Sequence, residues 1–238
     1  MKVLGIIPAR FGSSRFPGKP LIDIKGKTMI QRVYEGASKC RELSKVIVAT
    51  DDDRIYQHVR SFGGEVMMTS NLHGSGTERC AEVAAHFPDM EIVVNIQGDE
   101  PLVNPIQLTE LIQAFQHGKV EIATLVSPKI DSSELDNPNR IKVVIDYNQN
   151  ALFFSRSRIP SGMYASHYTP LKHIGLYAFR NEVLGKLVSL PATEIEKSES
   201  LEQLRWLYYG YKIKTIETLI ETPNIDTPAD VGAVLKQL

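Results

Sequence analysis

The stretch IIPARFGSSRFPGKPL, from Ile6 to Leu21, puts Arg10, Arg15 and Lys19 in one short loop with almost no acid to balance them. Glycine and serine in such a loop let backbone N–H groups approach phosphate oxygens, while the three cations neutralise the charge. The loop matches neither well-known phosphate motif. Five residues separate Gly12 from Gly18, one too many for G-x-x-x-x-G-K-[ST], and Pro20 stands where a magnesium-binding hydroxyl would be needed. No G-x-G-x-x-G is present either. Two readings remain: a nucleotide site, or a basic surface turn.

A second group lies in NIQGDEP, where an apolar strand ends in Gln97, Gly98, Asp99 and Glu100. Carboxylates at that sheet edge suit Mg²⁺, which takes one or two protein oxygens together with substrate phosphates. The alternative is a strand-end turn in which Asp99 caps the next segment. In NIDTPAD, Asp226 stands between a strand and a proline-started helix, so it reads first as an N-cap. It becomes a metal ligand only if the fold brings it to Asp99. ESLEQLRW carries Glu202, Gln203 and Arg205 beside a leucine stripe, the pattern of a solvated helical face with Arg205 paired to a nearby carboxylate. Arg156 and Arg158 in SRSRIP, and Lys172 and His173 in LKHIGLY, either grip a carboxylate ligand or decorate sheet edges. The histidines form no H-E-x-x-H and no Cys/His pairing, and no G-x-S-x-G occurs, which argues against zinc and triad chemistry.

These residues need elements to hold them. KVLGII, KVIVAT, EVMMT, EIVVN and VEIATLVSP read as strands, separated by amphipathic helices such as TMIQRVYEGASKC, with Met29, Ile30, Val33, Tyr34 and Ala37 on one face. Asp51 to Asp53 cap RIYQHVRSF, and SGTERCAEVAAHF has a Ser/Thr start with glutamate in its first turn. Apolar strands alternating with helices predict βαβ units and a parallel sheet covered on both faces. The second half breaks the rhythm. IKVVIDYNQNALFFSRSRIP predicts a hairpin around YNQN, and LKHIGLYAFR a strand followed by the helix NEVLGKLVSL. TEIEKSESLEQLRWLYYG predicts one longer helix with Leu201, Leu204 and Leu207 on a face and Gly210 as its stop. A strand, YKIKTIETL, and a final helix, TPADVGAVLKQL, close the chain. The expectation is one continuous domain over 1–238 with a β-rich inserted region at approximately 125–220.

Composition bounds the function. The 238 residues are 42% apolar and carry a formal net charge of −1, so no global positive field recruits nucleic acid and anion binding must be local. The mean hydropathy is −0.15, no apolar run reaches membrane-spanning length, and the N-terminal apolar run stops at Pro8 and Arg10, too short for a signal peptide. Cys40 and Cys80 make no disulfide framework, although a single bridge is open. A cytoplasmic protein without nucleic-acid or membrane partners is expected.

Taken in order, PARFGSSRFPGKPL, SGTER, NIQGDEP, FFSRSRIP, KHIGLYAF, LEQLR and IDTPAD resemble the 3-deoxy-manno-octulosonate cytidylyltransferases, or CMP-Kdo synthetases, from the first strand to the last helix. The resemblance implies transfer of CMP from CTP to 3-deoxy-manno-octulosonate (Kdo), giving CMP-Kdo and pyrophosphate for lipopolysaccharide assembly. It implies a Rossmann-like, GT-A-like nucleotidyltransferase fold, an α/β architecture whose sheet is mixed but mainly parallel. The β-rich insertion would bind the sugar and contribute to a homodimer. It also implies Mg²⁺ on Asp99 and Asp226, and nucleotide contacts from Pro8, Ala9, Arg10, Arg15, Lys19, Ser75, Gly76, Thr77 and Arg79. Arg15, Lys19 and Asp99 would serve catalysis, with Gln97, Arg158, His173, Tyr177, Glu202 and Gln203 around the sugar. One departure stands out: between Ile159-Pro160 and YTPLKHIG the chain has only SGMYASH, shorter than the family's lid and without its arginine stretch. That leaves the lid contacts open, and with them the 8-amino analogue of Kdo; QGDEP favours Kdo itself. Another acidic sugar such as sialic acid, and a non-catalytic nucleotide-binding module, are the competing readings.

Overall fold

The computed structural model describes residues 1–12, 16–116, 119–163, 168–225 and 227–238; Arg15 and Asp226 lie outside them. The first half runs β1 (Val3–Ala9), β2 (Asp23–Ile24), β3 (Lys27–Thr28), α1 (Met29–Ala37), β4 (Lys45–Thr50), α2 (Asp53–Ser61), β5 (Val66–Met68), α3 (Gly76–Ala85), β6 (Ile92–Asn95), α4 (Pro105–Gln113) and β7 (Ile122–Ser127). The second half runs β8 (Lys142–Ile145), β9 (Ala151–Ser155), β10 (Leu171–Arg180), α5 (Asn181–Val188), α6 (Glu194–Glu199), α7 (Gln203–Tyr208), β11 (Ile213–Glu217) and α8 (Val231–Leu235).

The main sheet has the order β11-β7-β10-β6-β1-β4-β5, with β8 and β9 branching from β10. β1 pairs in parallel with β4 and β6, β4 with β5, and β7 with β11. β10 is inserted antiparallel between β6 and β7, so the sheet is mixed but mainly parallel, as expected. Alternation splits β1 between two layers. Leu4 and Ile6 join Ile47, Val83, Val93 and Trp206 on one face, while Val3 and Ile7 join Val33, Val48, Val59 and Leu111 on the other. Burial on both faces is why these strands read as continuous apolar runs. Cys80 belongs to the first layer and Cys40 to the second, and both thiols are free. Tyr34, expected on the buried face of α1, is half-buried; its hydroxyl accepts the Glu65 N–H at 3.1 Å.

The predicted hairpin is β8–β9, its turn tied by Asn150 N–H donating to Asp146 at 2.7 Å. Two expectations are corrected. The single long helix is broken into α6 and α7 at Ser200, which adopts φ 51°. The break lets Glu199 receive the Ser155 hydroxyl and the Arg156 N–H, each at 2.8 Å, and turns Glu202 toward α3. The closing helix begins with a 3-10 turn at Pro228–Asp230, whose N-cap is Thr227; the Thr227 N–H reaches Asp230 at 2.7 Å. Among the described residues no helix is long and apolar enough to cross a membrane.

Candidate active site

The C-terminal ends of β1, β4 and β6 open on the same sheet edge, the place where parallel sheets receive ligands. A cleft of about 240 Å³ there is lined by Pro8, Ala9 and Arg10 from β1 and the loop after it, by Lys19, by His73, Ser75, Gly76 and Arg79 around α3, and by Gln97, Gly98 and Asp99 after β6. Local chain geometry sets this approach. Gly18, at φ 73°, caps the short turn that presents Lys19, and its N–H closes the loop on the Phe11 carbonyl at 2.9 Å. Gly98 passes so close to β1 that a Cβ there would stand 2.5 Å from the Pro8 carbonyl oxygen, so only glycine fits without moving backbone. Lys19 Nζ then bonds Asp99 Oδ2 at 2.9 Å and donates to the Ile225 carbonyl at 2.8 Å. The segment before Asp226 is thereby tied to the strand end that carries Asp99, and the Ile225 N–H donates to the Asp99 carbonyl at 2.9 Å.

Beside the cleft lies a larger polar cavity of about 640 Å³. Its walls include Thr77, Asn95, Glu100, His173, Tyr177, Glu202, Gln203 and Trp206. Gly76, Gln97 and Asp99 line both spaces, so the two share a junction at Asp99. Glu202 sits at the N-terminal end of α3, accepting hydrogen bonds from Ser75 at 2.9 Å and Thr77 at 2.5 Å. That helix end carries partial positive charge. Burial nevertheless pushes the Glu202 carboxyl above its ordinary value, although the two hydroxyls oppose the rise. Gln97 is fixed by donating to the Gly175 carbonyl at 2.8 Å.

Among the described residues, two polar atoms of the cavity wall, Asn95 Oδ1 and the Tyr177 hydroxyl, are buried without a hydrogen-bond partner of good geometry, although Thr124 stands beside Tyr177. Asn95 and Tyr177 are directly opposite each other across β6 and β10. Leaving such groups unpaired costs about 1–3 kcal/mol each, a cost that a hydrogen-bonding ligand in the cavity would relieve. His173 bonds Thr124 at 3.0 Å and packs edge-on against Phe154. Burial pushes its pKa from 6.5 down to about 3. Between those values the unfolded chain binds a proton that the folded chain refuses, so stability is lost as pH falls below 6.5. His173→Gln removes this dependence: its stability relative to the parent should improve by about 2 kcal/mol between pH 7.5 and 5. Denaturant unfolding at both values checks this, and a pH-independent difference would contradict it.

Not every expected residue offers an unengaged side chain to these spaces. The Arg79 guanidinium lines the cleft but is 3% exposed and engaged by Asp51 at 2.8 Å and by Thr69, which makes it a brace between β4 and α3. Arg158 is exposed and lines neither space; its guanidinium lies over Gly162. Neighbouring Arg156 donates to the Glu199 and Ser200 carbonyls. Arg205 pairs with Glu196 through two nitrogens, at 2.7 and 2.5 Å. Sequence reasoning missed His73, Asn95 and Arg140 at these walls. Asn95 had the one available signal, a polar residue closing the apolar run EIVVN.

Among the described residues no cluster of three or more metal-ligating side chains forms. Mg²⁺ does not need one, because phosphates and water complete its shell around one or two carboxylates. Asp99, a hard oxygen donor at the junction of the two spaces, fits that requirement.

A strand-end cleft with a basic loop, opening onto a second polar cavity, defines a nucleotidyltransferase-like α/β protein, and the chain belongs to the cytidylyltransferase family, whose sequence profile matches residues 4–216. Its relatives include the 3-deoxy-manno-octulosonate cytidylyltransferase of Parabacteroides distasonis, 50% identical over 99% of this chain and 97% of that one. The 8-amino-3,8-dideoxy-manno-octulosonate cytidylyltransferase of Shewanella frigidimarina is 48% identical over 97% and 96%. Among solved structures, CMP:2-keto-3-deoxy-manno-octonic acid synthetase complexed with CTP superimposes with a TM-score of 0.95, at 44% identity, covering 100% of this chain and 98% of that one.

Proposed function

We propose that this chain transfers CMP from CTP to the anomeric hydroxyl of Kdo, releasing pyrophosphate and making CMP-Kdo for lipopolysaccharide assembly in the cytoplasm. The observation that carries the reading is the shared junction: Gly76, Gln97 and Asp99 line both the smaller cleft and the larger cavity. Two substrates seated in those spaces would meet at Asp99. Pro8, Ala9, Arg10, Ser75, Gly76 and Thr77 would border the nucleotide, and Gln97, His173, Tyr177, Glu202 and Gln203 the sugar. The names of the relatives supply the substrates.

In this scheme the anomeric oxygen attacks the α-phosphorus in line, a new P–O bond forms, and the bond to the β-phosphate oxygen breaks. Such transfers depend on positioning and on stabilising charge at the leaving oxygens. Lys19, with Arg15 from the same loop, would neutralise the departing pyrophosphate. Asp99 and Asp226 would hold Mg²⁺, which when bound supplies Lewis-acid polarisation of the phosphate. The Lys19–Asp99 pair keeps both groups at the junction before substrate arrives. Glu202, seated on Ser75 and Thr77, would keep the sugar wall rigid beside α3.

The inserted region would also form a homodimer. Leu152 on β9 is 60% exposed, Tyr147 in the β8–β9 turn is fully exposed and Met163 is 78% exposed, apolar side chains of the kind a second copy covers. Mass spectrometry of CTP, Kdo and Mg²⁺ incubated with the chain tests the reaction. CMP-Kdo and pyrophosphate in equal amounts are expected; unchanged CTP would overturn the reading.

A further inference from the structure

A sugar acid brings a carboxylate into the site, and a carboxylate taken out of water needs a cation or several donors. Among the described residues lining the larger cavity, the only lysine and arginine are Lys172 and Arg140. His173, the other basic side chain there, is kept neutral by burial. Arg158 does not reach the space. Lys172 Nζ bonds Glu221 at 2.8 Å and stands 3.5 Å from Glu134. Among the described residues Arg140 is held to Glu134 through Nε alone, at 2.9 Å. Its terminal nitrogens, the pair that grips a carboxylate side-on, are therefore left for a ligand.

The placement also fits the chemistry of the junction. In a 2-keto acid sugar the carboxylate is bonded to the anomeric carbon, so its partner must lie near the reacting centre. Glu221, which holds Lys172, is followed by Thr222, whose hydroxyl donates to Glu100 at 3.2 Å, and Glu100 adjoins Asp99. Lys172 is thus linked to Asp99 at the junction through four consecutive steps, two hydrogen bonds and two chain neighbours. Glu221 is 51% exposed while Lys172 is only 16% exposed, so the carboxylate on the solvent side of the pair is the one that a ligand can replace.

We propose that Arg140 and Lys172 form the carboxylate-recognising pair of the larger cavity, with Glu221 holding Lys172 in place until the substrate's carboxylate displaces it. The proposal rests on the reading of the chain as a transferase acting on a 2-keto sugar acid. It makes this pair the element that separates acidic sugars from neutral ones.

The test compares Kdo with its carboxamide, in which the charge is gone and the shape is kept, by pyrophosphate release at saturating CTP. The parent must first turn over Kdo; if it does not, the functional reading fails before any variant is made. In Lys172→Met and Arg140→Met the KM for Kdo should rise roughly 30- to 100-fold, with the KM for CTP unchanged. The parent's preference for acid over amide should collapse in both, and Lys172→Arg should restore most of it. An acid-to-amide ratio that stays at the parent value in Lys172→Met and Arg140→Met would overturn the proposal, as would equal losses for CTP and sugar.

Discussion

Lys19→Met should leave a folded chain whose kcat is about a thousandfold lower, with only a modest change in the KM for CTP. The side chain is 14% exposed and reaches Asp99 and the Ile225 carbonyl at once. In the proposed reaction this fixes it where charge would gather on the leaving pyrophosphate, and a preorganised cation there acts mostly in the transition state. Loss of one such group costs about 10²–10³ in rate. Lys19 also neutralises Asp99, so its removal leaves two carboxylates, Asp99 and buried Glu100, without that cation; burial and Asp99 already push Glu100 up to about 8. Single-turnover pyrophosphate release at saturating substrates separates chemistry from binding. A kcat equal to the parent's would remove Lys19 from the reaction.

The second large effect is expected at Asp99. Asp99→Asn keeps the shape and one hydrogen-bond acceptor for Lys19, so the thermal midpoint should move by only a few degrees. Turnover supported by Mg²⁺ should fall by at least about a thousandfold, since in the proposed reaction the lost carboxylate would be the junction's hard oxygen ligand. Mn²⁺ binding in the presence of CTP, followed by electron paramagnetic resonance, gives a readout independent of turnover and should weaken in parallel. Parent-like Mn²⁺ binding together with parent-like rates would take Asp99 out of the metal site.

Much of this architecture was legible because the physics is local. Strands buried on both faces must be apolar throughout, so KVLGII and KVIVAT announce themselves, and Ser75, Asp52 and Asn104 cap α3, α2 and α4 as short polar side chains do. The unbalanced charge of Arg10, Arg15 and Lys19 marks its loop in the same way. What stayed hidden depends on distant partners. Nothing in LKHIGLYAFR distinguishes a strand running with β6 from one running against it. EKSESLEQLRW has helical character throughout, and only the needs of Ser155, Arg156, Ser75 and Thr77 explain the break at Ser200. NIDTPAD offers more than one short polar side chain as a cap, and the sequence does not single out Thr227, which opens the closing turn. Of the two arginines in SRSRIP, Arg156 is taken by Glu199 and Arg158 turns outward, while Arg140, which carries no local pattern, lines the cavity.

If the cleft and the cavity seat two substrates that react at their junction, pyrophosphate release must depend on both. Initial rates of pyrophosphate release, measured with CTP or UTP in the presence of Mg²⁺ and with Kdo, a sialic acid or no sugar, test it most directly. Fast release that requires CTP and Kdo together is the predicted result. Release from CTP alone, or none with any sugar while CTP still binds, would contradict it and leave a nucleotide-binding module in its place.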